Sequence, residues 1–263
     1  MRRTLPAFAL VLAALAVALP AAARDRPGLT FDLGIGASVQ PDYPGASSYR
    51  VGPTGSFGFR ELVLPGGFGL GTASTRPVEP GFGPRGALRY MRARKASDHP
   101  ELAGLDAVKA SLELGLGLVW VTEHFRAFAE TRYGVIGHGG WAGDLGADLI
   151  WRHGERTVLH LGPRAAFGDG RFTRTYFGVT PDEAAASALA GTGLAAFRPR
   201  SGLVSVGLEL GLHHAFGSAW GLEGAISWNR LQRDAALSPI TAQGARDQWG
   251  VRLILTRRFT FGR

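Results

Sequence analysis

The sequence contains no cysteine, which excludes disulfide staples and thiolate metal sites. Hydrophobic residues make up 45% of its 263 positions. Yet beyond the N-terminal segment no uninterrupted apolar run reaches the ~20 residues of a membrane helix. Asparagine occurs once, at Asn229. No phosphate-binding or dinucleotide glycine pattern is present. There is also no Gly-x-Ser-x-Gly elbow and no His-x-Ser strand pair of the kind a hydrolase uses. The seven histidines, His99, His124, His138, His153, His160, His213 and His214, are scattered. Adjacent His213 and His214 on a strand point to opposite faces, which is wrong for chelation. The formal charge is +8, with no Lys/Arg block of the kind that forms a nucleic-acid arm. These absences predict no enzyme, no cofactor, no metal and no nucleic-acid partner.

The N-terminus has targeting features. Arg2 and Arg3 precede the apolar stretch Leu5–Leu19, and Ala21-Ala22-Ala23 satisfies the small-x-small cleavage rule. Residues 1–23 are expected to be a signal peptide and 24–263 the mature domain.

What the mature chain does contain is a two-residue rhythm. In Val108–Val121, Val108, Ala110, Leu112, Leu114, Leu116, Leu118 and Trp120 share one parity. Lys109, Ser111, Glu113, Gly115 and Gly117 share the other. Side chains alternate faces along a strand, so this is a ribbon with one oily side. As a helix it would place Lys109 and Glu113 among the leucines. The oily side is long enough to cross a membrane, which takes ~9–11 tilted residues. The 39 glycines suit a crowded interior.

The rhythm recurs, and twelve strands are expected. They run over 29–35, 51–59, 62–64, 68–72, 86–92, 108–121, 125–136, 141–151, 157–167, 204–212, 219–231 and 249–261. The turn Pro65-Gly66-Gly67 divides the third from the fourth and keeps the count even, as in bacterial outer-membrane barrels. Trp141 and Trp151 at the two ends of an apolar stripe fit aromatic belts. The short connections 122–124, 153–156 and 216–218 go to the periplasm, which puts 168–200 and 233–247 outside. The predicted fold is an all-β transmembrane antiparallel barrel embedded in outer-membrane lipid. A secreted β-sandwich or lipocalin-like barrel is the soluble alternative.

Within the long outer loop, Thr180-Pro181-Asp182-Glu183 combines an N-cap threonine, proline at the first helical position and glutamate at N3. One short helix is expected there. Tyr176, Phe177, Thr180, Pro181 and Glu183 are the candidate plug or docking residues. The polar parities supply candidate lumen charges: Lys109, Glu113, Arg126, Glu130, Arg132, Asp144, Asp148, Glu209, Glu223 and Arg252. Mixed signs in a narrow barrel favour cross-strand ion pairs over a selective pore.

Five segments carry a resemblance: QPDYPGASSYRVGP (40–53), HGGWAGDLGADL (138–149), YFGVTPDEAAASAL (176–189), RLQRDAALSPI (230–240) and GARDQWGVRLILTRRF (244–259). Together they resemble the MltA-interacting protein family, also called MipA/OmpV, over essentially the whole mature chain. The resemblance implies an outer-membrane barrel without catalytic residues. It implies a scaffold joining a lytic murein transglycosylase (a murein hydrolase) to a penicillin-binding protein, with contacts at the periplasmic rim. A porin-like small-solute channel and a surface adhesin are the alternatives.

Overall fold

A computed structural model describes residues 27–63, 69–71 and 80–262. The expected signal peptide and the turn Pro65-Gly66-Gly67 lie outside the described residues. The strands are β1 (Gly28–Pro41), β2 (Tyr49–Val63), β3 (Gly69–Gly71), β4 (Gly81–Met91), β5 (Ser111–Val121), β6 (Phe125–Ile136), β7 (Trp141–His153), β8 (Thr157–Gly168), β9 (Gly202–Ala215), β10 (Trp220–Leu231) and β11 (Asp247–Phe261). They form one antiparallel sheet in the order β3-β2-β1-β11-β10-β9-β8-β7-β6-β5-β4. Every neighbour but one is also a neighbour in sequence. The exception joins the two ends of the chain, pairing Leu29 with Phe261 and, at the far end, Val39 with Val251.

Among the described residues the sheet therefore has eleven strands rather than twelve. Leu62 and Val63 of the strand expected at 62–64 instead continue β2, opposite Leu29 and Gly28, and Leu64 lies outside the described residues. The hydrogen bonding of β1 carries β2 past the point where local pattern suggested a break. The edges β3 and β4 follow one another in sequence, and the sheet curls until Cα atoms of β2 and β4 come within 8 Å. Arg92, just past β4, reaches over β2; a Cβ on Gly52 would lie 2.5 Å from its guanidinium.

The alternation fixes which face is which. In β5, Leu114, Leu116, Leu118 and Trp120 are exposed, with Leu116 at 70%, whereas Glu113 is fully buried. The other strands behave alike: Leu33 and Ile35, Leu145 and Leu149, Leu208 and Leu210, and Leu253 and Leu255 all point outward. An outward greasy face on strands of 11–15 residues suits lipid on the outside. No helix among the described residues is long and apolar enough to cross a membrane. Outward aromatics gather at both ends. Phe31 stacks on Phe259 and Phe261 at one end, and Tyr133 packs on Trp141 at the other.

Inward glycines let the strands and their fillings approach. A Cβ on Gly115 would lie 1.9 Å from the Thr131 carbonyl oxygen, so only glycine fits.

The longest connections share one end. Turns at 122–124, 154–156 and 216–219 lie at one end, assigned to the periplasm. Segments 42–48, 92–110, 137–140, 169–201 and 232–246 lie at the other. The long loops hold α1 (Gly170–Phe177), α2 (Pro181–Leu189), α3 (Arg233–Leu237) and α4 (Pro239–Ala242). The sequence predicted α2 alone. The loops share a core of Tyr43, Ala46, Leu102, Leu105, Val179, Leu194 and Ile240, which unites them into a cap.

Leu116→Arg places a charge in the middle of the outward face of β5. It is expected to lower the unfolding free energy in liposomes by ~2–4 kcal/mol, the cost of arginine near a bilayer midplane. Urea titration followed by heat-modifiable gel mobility checks this.

Candidate functional site

The cap reaches into the barrel mouth through α1. Phe172, Tyr176 and Phe177 are buried against Met91, Ala142, Val204 and Leu231 on the inner wall, together with Ala235 of α3. Phe177 is wholly buried. The helix starts where it does because Asp169 accepts hydrogen bonds from the backbone N–H groups of Arg171 and Phe172, at 2.9 and 2.8 Å. Its last carbonyls are met as well: Arg94 donates to Tyr176 O at 3.0 Å, and Ser238 Oγ donates to Phe177 O at 2.7 Å. Burial pushes the Tyr176 hydroxyl up from its ordinary pKa, so it stays a neutral donor.

Tyr176 and Phe177 thus belong to α1, not to the helix their neighbours begin. Thr180, Pro181 and Glu183 open α2 with a complete capping box, in which Glu183 N donates to Thr180 Oγ1 and Thr180 N donates to Glu183 Oε2. Glu183 also accepts from the backbone N–H of Asp106 at 3.0 Å, tying α2 to the 92–110 loop.

Below α1 a polar chain enters the lumen. Tyr176 donates to Ser111 Oγ at 2.9 Å, and the His138 backbone N–H donates to the same oxygen at 3.2 Å. His138 Nδ1 accepts from Gly140 N–H at 3.0 Å, which leaves the proton on Nε2, 3.1 Å from Glu113. Glu113 also takes Nε of Arg132 at 2.8 Å, and Arg132 is shared by Glu130 and Asp144.

A second network occupies mid-lumen. Arg126 pairs with Asp148 at 2.7 Å. Arg164 bridges Asp148 and Glu209 at 2.8 and 3.0 Å. Arg252 reaches the other oxygen of Glu209 at 2.8 Å, and Arg85 meets Glu130 at 3.0 Å. The guanidiniums of Arg85, Arg126 and Arg164 surround the Phe128 ring, 4.3, 5.6 and 5.3 Å from its centroid. Between these groups lies a cavity of about 310 Å³, also lined by His160, His213 and Glu223.

Nine of the ten candidate lumen charges, all but Lys109, lie on these inward parities. Lys109 is exposed and precedes β5, which starts at Ser111, so it does not face the lumen. The register that would turn it inward ends where Val108 bridges to Arg94 instead. Arg85, Phe128, His138, His160 and Arg164 were missed by sequence. Phe128 shares its strand parity with Arg126 and Glu130, and His160 shares its own with Arg164, which was the available signal. Among the described residues no cluster of His, Asp and Glu has metal-site geometry.

Burial works against the charge of Asp169, but the N–H groups of Phe172 and Arg171 hold its carboxyl below the ordinary value of 3.8. A depressed folded pKa means the stabilisation is complete above about 4 and is lost as pH falls through the folded value. Asp169→Ala is expected to cost ~1 kcal/mol of α1 anchoring at neutral pH. Protease cleavage within 169–201 should rise in the variant at pH 7, and the gap from the native chain should narrow near pH 3.

An outer-membrane channel from Pseudomonas putida F1 is similar over 92% of this chain and 97% of that one, at 14% identity and a TM-score of 0.42. Neisserial surface protein A is similar over 87% and 95%, at 7% identity and 0.28. A TodX monoaromatic hydrocarbon channel mutant is similar over 90% and 91%, at 12% identity and 0.30. These likenesses are loose, and no function passes from them to this chain. No curated protein matches it. The profile of the family described as MltA-interacting protein MipA matches residues 33–259, from within β1 to within β11 and through every outer loop, so the chain belongs to that family.

Proposed function

We propose that this protein is a non-enzymatic outer-membrane scaffold. Its periplasmic rim docks peptidoglycan-remodelling enzymes, a murein transglycosylase together with a penicillin-binding protein. The family description, which names an MltA interaction, supports the partner class. The observation that carries the reading is the filled mouth: α1 packs Phe172, Tyr176 and Phe177 against the inner wall, over carboxylates tied to arginines. A barrel built this way is a rigid platform rather than a conduit. The rim offers the exposed polar side chains Glu123, His124, His153, Glu155 and Arg156. Each turn is short against the ~800 Å² per partner of a standard interface, so docking draws on several turns at once.

The second reading is a small-solute channel, favoured by the mid-lumen cavity. In that reading α1 is the gate.

Two measurements separate them. Crosslinking the intact barrel in membranes should capture a murein transglycosylase; no capture from correctly inserted protein overturns the scaffold. In planar bilayers the native protein should show no steady conductance, and replacing 169–201 by a short turn should open one. Steady conductance in the native protein transfers the assignment to the channel.

A further inference from the structure

The cavity below the cap has polar groups that the protein itself leaves unanswered. Arg85 carries five N–H donors, and its one carboxylate partner among the described residues is Glu130. His160 is 7% exposed, and its Nδ1 has no hydrogen-bond partner among the described residues. Its Nε2 lies 3.6 Å from Glu209, beyond hydrogen-bond distance, so both ring nitrogens lack a hydrogen-bond partner and the one without a proton is a lone-pair acceptor. Buried polar groups are nearly always satisfied, so such orphans point to something that fills the space. One region of the wall thus offers a spare donor and another a spare acceptor.

The wall is also balanced in charge. Four arginines line the cavity, and four carboxylates line it with them. A solute of one sign gains little there, because each attraction is offset by a nearby repulsion. A solute with separated opposite charges finds a complement for both. The volume, about 310 Å³, is at the small end of ligand pockets. The wall is held in place beforehand. Arg85 stacks on Phe128, and the His160 ring occupies the space above Gly211, where a Cβ would lie 2.0 Å from its Cε1.

We propose that this cavity binds a small zwitterion of the free amino-acid or dipeptide class. Arg85 takes the carboxylate. The ammonium lies at the Glu209–Glu223 side and donates to the unprotonated ring nitrogen of His160. His160 and Glu223 are each the fourth residue from the periplasmic end of their strands, and the cap covers the opposite mouth, so the solute enters from the periplasm. This site is independent of the docking role: the rim holds proteins whether or not the cavity is occupied.

The test is calorimetric titration of the detergent-solubilised full mature chain. The probes are glycylglycine, its N-acetyl derivative, its methyl ester, acetate and ethylamine. Glycylglycine is expected to bind, and blocking either end should weaken binding about tenfold or more, the scale of a lost hydrogen bond to a charged group. Arg85→Gln and His160→Phe should each weaken it similarly while heat-modifiable mobility stays native. The blocked derivatives report on the native protein, so the proposal remains testable even where a variant misfolds. Acetate or ethylamine binding as tightly as glycylglycine overturns the proposal in favour of a simple ion site. No heat for any probe at millimolar concentration overturns it in favour of a cavity that holds water only.

Discussion

Lipid offers no hydrogen bonds, and that constraint governs this molecule. Every strand amide and carbonyl facing the bilayer must find a partner in a neighbouring strand. The pairing of β1 with β11 is where the requirement is hardest to meet, because it joins residues more than two hundred positions apart. All other neighbours are consecutive in sequence. Closing the chain ends against each other leaves, among the described residues, edges at β3 and β4, and the curl brings β2 and β4 together.

The interior follows from the same geometry. Once the apolar parity is spent on lipid, the other parity must fill the lumen, and it carries charge. A buried charge without a partner is expensive, so arginines and carboxylates interlock across strands. Arg132 serves three carboxylates, and Glu209 serves Arg164 and Arg252. Phe128 sits among the arginines, giving three guanidiniums an aromatic face instead of water. Residual polar groups, at His160 and Arg85, mark where this packing stops and a ligand-sized space begins.

The cap is a second folded layer. Its core of Tyr43, Leu102, Val179 and Ile240 comes from four loops that are distant in sequence. It is coupled to the lumen by a hydrogen-bonded chain from Tyr176 through Ser111 and His138 to Glu113 and Arg132. A disturbance of α1 therefore reaches the charge network directly. The same connection joins the outer surface to the centre of the barrel.

The alternation of Val108–Val121 and its counterparts determined the fold class, the outward face and the length class of the connections, because a strand's period of two is written residue by residue. Thr180-Pro181-Asp182-Glu183 likewise determined α2, since a capping box is local. Only its N-cap, Asp169, marks α1 locally: its β-branched and aromatic residues disfavour a helix, and burial against the inner wall overrides that preference. The span of β2 through Leu62 was decided by its pairing with β1, and the exposure of Lys109 by the bridge of Val108 to Arg94. So were the choices of which arginine meets which carboxylate, and the cavity they enclose. Those depend on shear and curl, which are properties of the whole sheet and of no single stretch of chain.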